Sequence, residues 1–158
     1  MRPQIFGGLL AGLTLIGVAL TLHSDATAGG VKSDSKVKAT ATATKPVADG
    51  KQTVTITLEI EKGWYIYANP VGDEDFEGNK TRVNIKAKDK VMANVAYPTG
   101  KVKVDGKFKF NIYEDKVTIQ AVVFRTAGDS SPLQLSIDVN SCNKGTCLLP
   151  GVVKLTVP

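Results

Sequence analysis

Apolar and polar residues alternate along run after run of this chain, and that period of two restricts its fold more than any other feature. Val54, Ile56, Leu58 and Ile60 alternate with Thr53, Thr55, Thr57 and Glu59, the pattern of a strand buried on one face. Val37, Ala39, Ala41 and Ala43 alternate with Lys38, Thr40, Thr42 and Thr44. The same period recurs at Val83–Ala87, Val91–Tyr97, Phe108–Ile112, Val117–Val123 and Leu133–Val139, and a last segment runs from Cys147 to Val157. Turn residues separate the runs at Pro46–Gly50, Gly63, Asn69-Pro70, Pro98–Gly100, Glu114-Asp115 and Ala127–Pro132. In the aromatic segment Trp64-Tyr65-Ile66-Tyr67, Trp64 and Ile66 share one face and Tyr65 and Tyr67 the other. No window carries a helical period. The pattern predicts an all-β fold, an antiparallel sandwich of about seven to nine strands, because two packed sheets let every alternating strand bury one side.

The N-terminus breaks this pattern. Arg2 precedes an uncharged run from Ile5 to Leu22, and Ala26-Thr27-Ala28 supplies the small residues of a signal-peptidase site. Residues 1–28 therefore read as a secretory signal peptide cleaved after Ala28, with a membrane anchor as the alternative. Residues 29–35 read as a flexible polar tether, and 36–158 as the folded domain. Cleavage would leave 130 of the 158 residues, enough for one domain with its own core. Either way the domain is exported, periplasmic or secreted, where an oxidising environment lets Cys142 and Cys147 pair.

Composition removes several chemistries. The sole histidine, His23, lies in the N-terminal apolar stretch. The folded domain therefore has no imidazole base, histidine metal ligand or histidine pH switch. Two cysteines are too few for a four-ligand zinc site, and neither metal nor cofactor is expected. The net charge of +5 comes mostly from lysines spaced along strands. Only Arg82 and Arg125 are arginines in the domain, so a nucleic-acid partner is not expected.

Cys142-Asn143-Lys144-Gly145-Thr146-Cys147 is the segment most able to carry chemistry. On a hairpin with Gly145 at positive φ, the two thiols would face each other, with Cα atoms about 4.5–5.5 Å apart. As a staple, so short a loop removes only about 2 kcal/mol of unfolded-state entropy. An exposed loop disulfide is open to attack by another thiolate, and Lys144 would favour a thiolate electrostatically. Spacing alone leaves a structural staple and a redox pair both open.

Gly63-Trp64-Tyr65-Ile66-Tyr67, Tyr97-Pro98, Ile112-Tyr113 and Cys142-x4-Cys147-Leu148-Leu149-Pro150 occur in this order. In these residues the chain resembles the N-terminal periplasmic domain of the thiol:disulfide interchange protein DsbD, over roughly residues 36–158. The resemblance implies an immunoglobulin-like β-sandwich that relays electrons. Cys147 would be the attacking cysteine, Cys142 the resolving one, and Tyr65 and Tyr67 would sit beside the disulfide. The family's cap loop, an acidic pair followed by an aromatic, is set against Lys103–Phe108, with Asp105 as its acid and Phe108 as a displaced aromatic. The intercysteine spacing is one residue shorter than in the best-known member. The implied partners are thioredoxin-like or disulfide isomerase-like periplasmic proteins. The chain ends after the sandwich, so a separate membrane carrier is expected to supply electrons. The alternative is a non-catalytic immunoglobulin-like binding or scaffold domain with a structural disulfide.

Two other segments carry weaker readings. Asp73–Asn79 begins like a calcium-binding loop, but its twelfth position would be Asn84, not a carboxylate, so a solvated loop is expected. The Trp64–Tyr67 rings could offer a carbohydrate platform, but core packing is the expectation.

Overall fold

A computed structural model describes residues 30–158; the expected signal peptide lies outside them. The strands are β1 (Val37–Ala43), β2 (Lys51–Ile60), β3 (Tyr65–Tyr67), β4 (Arg82–Lys86), β5 (Met92–Ala96), β6 (Lys101–Asp105), β7 (Phe108–Glu114), β8 (Lys116–Phe124), β9 (Leu133–Val139), β10 (Ser141–Cys142) and β11 (Gly151–Val157). They form three antiparallel sheets, ordered β1-β2-β8-β5, β10-β3-β7-β6 and β11-β9-β4. Together these sheets make an immunoglobulin-like β-sandwich.

The alternating runs supply the core. Val54, Ile56 and Leu58 of β2 lie opposite Ala121, Ile119 and Val117 of β8, so their side chains share one face. That face meets Leu133, Leu135, Ile137 and Val139 of β9, with Ile66 of β3 and Tyr113 of β7, in one buried cluster. The threonines and lysines between them turn outward, as the period of two requires.

Two strands add to the runs named above: β6, whose Val102 and Val104 alternate with lysines yet are exposed, and the two-residue β10. Two tyrosines tie loops to the core. The Tyr113 hydroxyl donates to Pro98 O (2.9 Å) and accepts from Asn69 N–H (3.2 Å). The Tyr97 hydroxyl accepts from Val83 N–H at 2.8 Å.

The tether expected over 29–35 is corrected where it is described. Ser33–Lys36 form a 3-10 turn, and Ser33 is fully buried. Serine and glycine composition suggests a linker, but here the hydroxyl accepts from Ser141 N–H in β10 and donates to Leu149 O ahead of β11.

Candidate thiol–disulfide site

β10 pairs with β3 so that Cys142 lies opposite Tyr65. Asn143 then turns the chain. Its Oδ1 accepts from the N–H groups of Gly145 and Thr146, each at 2.9 Å. Asn143 N–H donates to Thr146 O, and Leu148 N–H donates to Ser141 O, both at 2.9 Å. Between these rungs Cys147 stands opposite Cys142, with Cα atoms 4.1 Å apart and the sulfurs bonded. This is the close, non-hydrogen-bonded position of an antiparallel ladder. Gly145 is not among the glycines with positive φ. The asparagine side chain, rather than glycine freedom, closes the turn.

Cross-strand register builds the floor beneath the disulfide. Tyr67 lies opposite Ile112, and Phe110 opposite Lys103. Tyr65, Tyr67, Phe110, Ile112 and Cys142 therefore share the face of the β3–β7 sheet that points away from the main core, and they form a second buried cluster. The rings of Tyr67 and Phe110 lie 5.3 Å apart, and those of Tyr65 and Tyr67 meet edge-on at 5.9 Å. Trp64 and Ile66 take the opposite face and pack on the main core, so only one aromatic pair belongs to the site.

The acidic loop completes the site. Asp73 caps the 3-10 helix Glu74–Asn79, its carboxylate accepting from Asp75 N–H at 3.0 Å. The loop is anchored by Thr81, whose Oγ donates to Tyr67 O at 2.7 Å, and by Asn111 N–H, which donates to Val71 O at 2.7 Å. This places Phe76 over the aromatic floor. Its ring stacks on Tyr67 at 5.4 Å, lies 4.6 Å from Phe110 and meets Phe108 edge-on at 5.3 Å.

A cleft of about 300 Å³ results, lined by Tyr65, Tyr67, Phe76, Phe108 and Phe110, with Asp105, Lys144 and Cys147 on its walls. The expected Asp105 and Phe108 thus stand in the site. Glu74-Asp75-Phe76 also sets an acidic pair before an aromatic, and its ring lies over the floor beside Phe108. Phe76 is the residue that sequence reasoning missed. Its signal was a lone large aromatic in a loop otherwise charged or small.

The two cysteines differ in access. Cys142 is 1% exposed and its Sγ lies 3.7 Å from the Tyr67 hydroxyl, whereas Cys147 is exposed. Burial, then the neighbouring Tyr67 and Asp105, pushes the Tyr65 phenol up to about 12. Burial also raises Tyr67. Both rings therefore stay neutral at ordinary pH. Lys103 Nζ sits 5.0 Å from the Tyr65 ring centre, a cation–π contact. The site thus joins an accessible sulfur to a shielded one, over a neutral aromatic floor with lysines at the rim. That arrangement suits exchange with an incoming thiolate, which needs access to one sulfur and a place for the other to leave.

The family described as thiol:disulfide interchange protein DsbD, N-terminal, matches residues 34–157. The chain belongs to this family. No curated protein sequence matches it. Among solved structures, the N-terminal periplasmic domain of ScsB from Proteus mirabilis is similar at TM-score 0.51 and 16% identity, covering 75% of this chain and 44% of that one. The present chain thus spans less than half of that ScsB structure. The reduced N-terminal domain of DsbD from Neisseria meningitidis aligns at TM-score 0.49 and 17% identity, over 72% of this chain and 80% of that one. At such identities the ScsB likeness speaks to the fold, and DsbD family membership rests on the match over 34–157. No helix among the described residues is long and apolar enough to cross a membrane.

Proposed function

We propose that this DsbD-family domain is an exported thiol–disulfide exchange module, delivered by a signal peptide cleaved after Ala28 and working through Cys142 and Cys147. The observation that carries this reading is the asymmetry of the pair: an exposed Cys147 bonded to a buried Cys142 at the mouth of an aromatic-floored cleft. A partner thiolate attacks Cys147 Sγ and breaks the disulfide, and Cys142 leaves as a thiolate and takes up a proton. The partner's second thiol then displaces Cys147, so two electrons enter the domain and the partner leaves oxidised. The reverse sequence passes those electrons to a target disulfide, with Cys147 attacking and Cys142 resolving. With no imidazole in the domain, the lysines and the partner must favour the thiolate, which exchange tolerates. Thioredoxin-like or disulfide isomerase-like proteins, whose paired cysteines can supply or accept two electrons, are the partners that fit this chemistry.

The staple reading is weaker, because the Asn143–Thr146 and Ser141–Leu148 hydrogen bonds already close the hairpin that the disulfide spans. Trapping tests the proposal. Cys142→Ser should accumulate a mixed disulfide through Cys147 with an oxidised thioredoxin-like protein, and Cys147→Ser should accumulate none. Equal trapping by both variants, or by neither, contradicts the assigned roles.

A further inference from the structure

The segment just ahead of β1 braces the cysteine hairpin from outside. Ser33 N–H and Ser33 Oγ both donate to Leu149 O, each at 2.8 Å. The same Oγ accepts from Ser141 N–H at 2.8 Å, and Ser141 Oγ donates to Ser33 O at 2.9 Å. Leu149 N–H donates to Val31 O at 3.2 Å. Ser141 immediately precedes Cys142, and Leu149 follows Cys147 by two residues. One buried serine therefore bonds to both legs of the hairpin, one leg for each sulfur. Ser33 and Ser141 are both fully buried, so a lost partner here leaves a desolvated polar group instead of one rescued by water. Gly151 makes room for the brace: a Cβ there would meet Asp34 N and Asp34 Oδ1, each at 2.4 Å.

We infer that Ser33 is a positioning residue for the thiol pair, holding the Cys142 and Cys147 legs in register when the disulfide is open and so setting how readily it recloses. This inference rests on the exchange reading and adds to it a residue just outside the family-matched segment, which begins at residue 34. A brace that holds two thiols at bonding distance raises the concentration of each as seen by the other, which favours the disulfide. Coupling is reciprocal, so reduction should in turn loosen the brace. It should quicken hydrogen exchange at the Ser33 and Leu149 amides more than at the β2 amides.

The test is the equilibrium between the oxidised protein plus reduced dithiothreitol and the dithiol protein plus cyclic oxidised dithiothreitol. It is measured for the wild type, Ser33→Ala, Gly151→Ala and a distant core control, Ile119→Val. Gly151→Ala displaces the brace without removing a hydrogen-bonding group, so it carries the test if Ser33→Ala fails to fold. Ser33→Ala and Gly151→Ala should each shift the constant toward the dithiol by about tenfold, about 30 mV for a two-electron couple. Ile119→Val should lower thermal stability and leave the constant in place. Constants within twofold of wild type for both brace variants overturn the inference. So does an equal shift in the control, which would make Ser33 merely structural. Dithiothreitol also opens structural disulfides, so the comparison holds whether or not the pair exchanges with glutathione. Failure to exchange with glutathione would count against the exchange reading alone.

Discussion

At the scale of residues, the site depends on a few side chains whose neighbours fix what they do. Phe76 covers the floor through ring contacts with Tyr67, Phe108 and Phe110. Phe76→Ala should open one wall of the cleft and speed reduction of the disulfide by a small thiol severalfold. Aromatic pairs contribute about 0.5–1.5 kcal/mol beyond burial, so stability should fall by about 1–3 kcal/mol, read from urea denaturation. Tyr65 gives a pH signature. Its folded-state value near 12 exceeds the ordinary phenol value of 10.0, so the native state keeps a proton that the unfolded chain releases. Its contribution to stability is whole below about pH 10 and is lost as pH rises through about 12. In a spectroscopic phenolate titration the component near 12 should vanish in Tyr65→Phe; its persistence would contradict the placement. Neither Phe76 nor Ser33 stood out in the sequence. Phe76 is a single ring among acids, and Ser33 lies in a stretch whose small polar composition suggests a linker. Their roles come from distant strands, with Leu149 116 residues beyond Ser33.

At the scale of elements, β2, β8 and β9 were legible because each is buried on one side, so burial imprints a period of two on the sequence. β6 and β10 were not. β6 alternates valine with lysine, but at a sheet edge its valines are exposed, so the period reports no buried face, and β10 has only two residues, too few to show a period. The aromatic strand was legible in its faces, because Tyr65 and Tyr67 must lie opposite Trp64 and Ile66. The elements that carry the core should also be the sensitive ones. Ile56 is fully buried at the centre of β2, opposite Ile119. Ile56→Ala should lower unfolding free energy by about 2–5 kcal/mol through the cavity it leaves, measured as a lower urea midpoint. A loss below about 1 kcal/mol would place Ile56 outside the rigid core.

At the scale of the whole molecule, the sandwich and the disulfide are separable. The core is built from three sheets, while the disulfide closes a loop of sequence separation 5 that backbone hydrogen bonds already bridge. Opening it should cost only about 2 kcal/mol. The reduced domain should therefore keep its β-sheet circular dichroism and unfold cooperatively a few degrees lower; collapse on reduction would make the bond structural. A fold that survives both redox states is what a relay requires. The most direct test of the exchange account is the reduction potential of Cys142–Cys147, from equilibration in graded glutathione buffers with thiol trapping. The account predicts a midpoint more oxidising than about −300 mV, whereas a midpoint below about −300 mV, where structural disulfides lie, would contradict it.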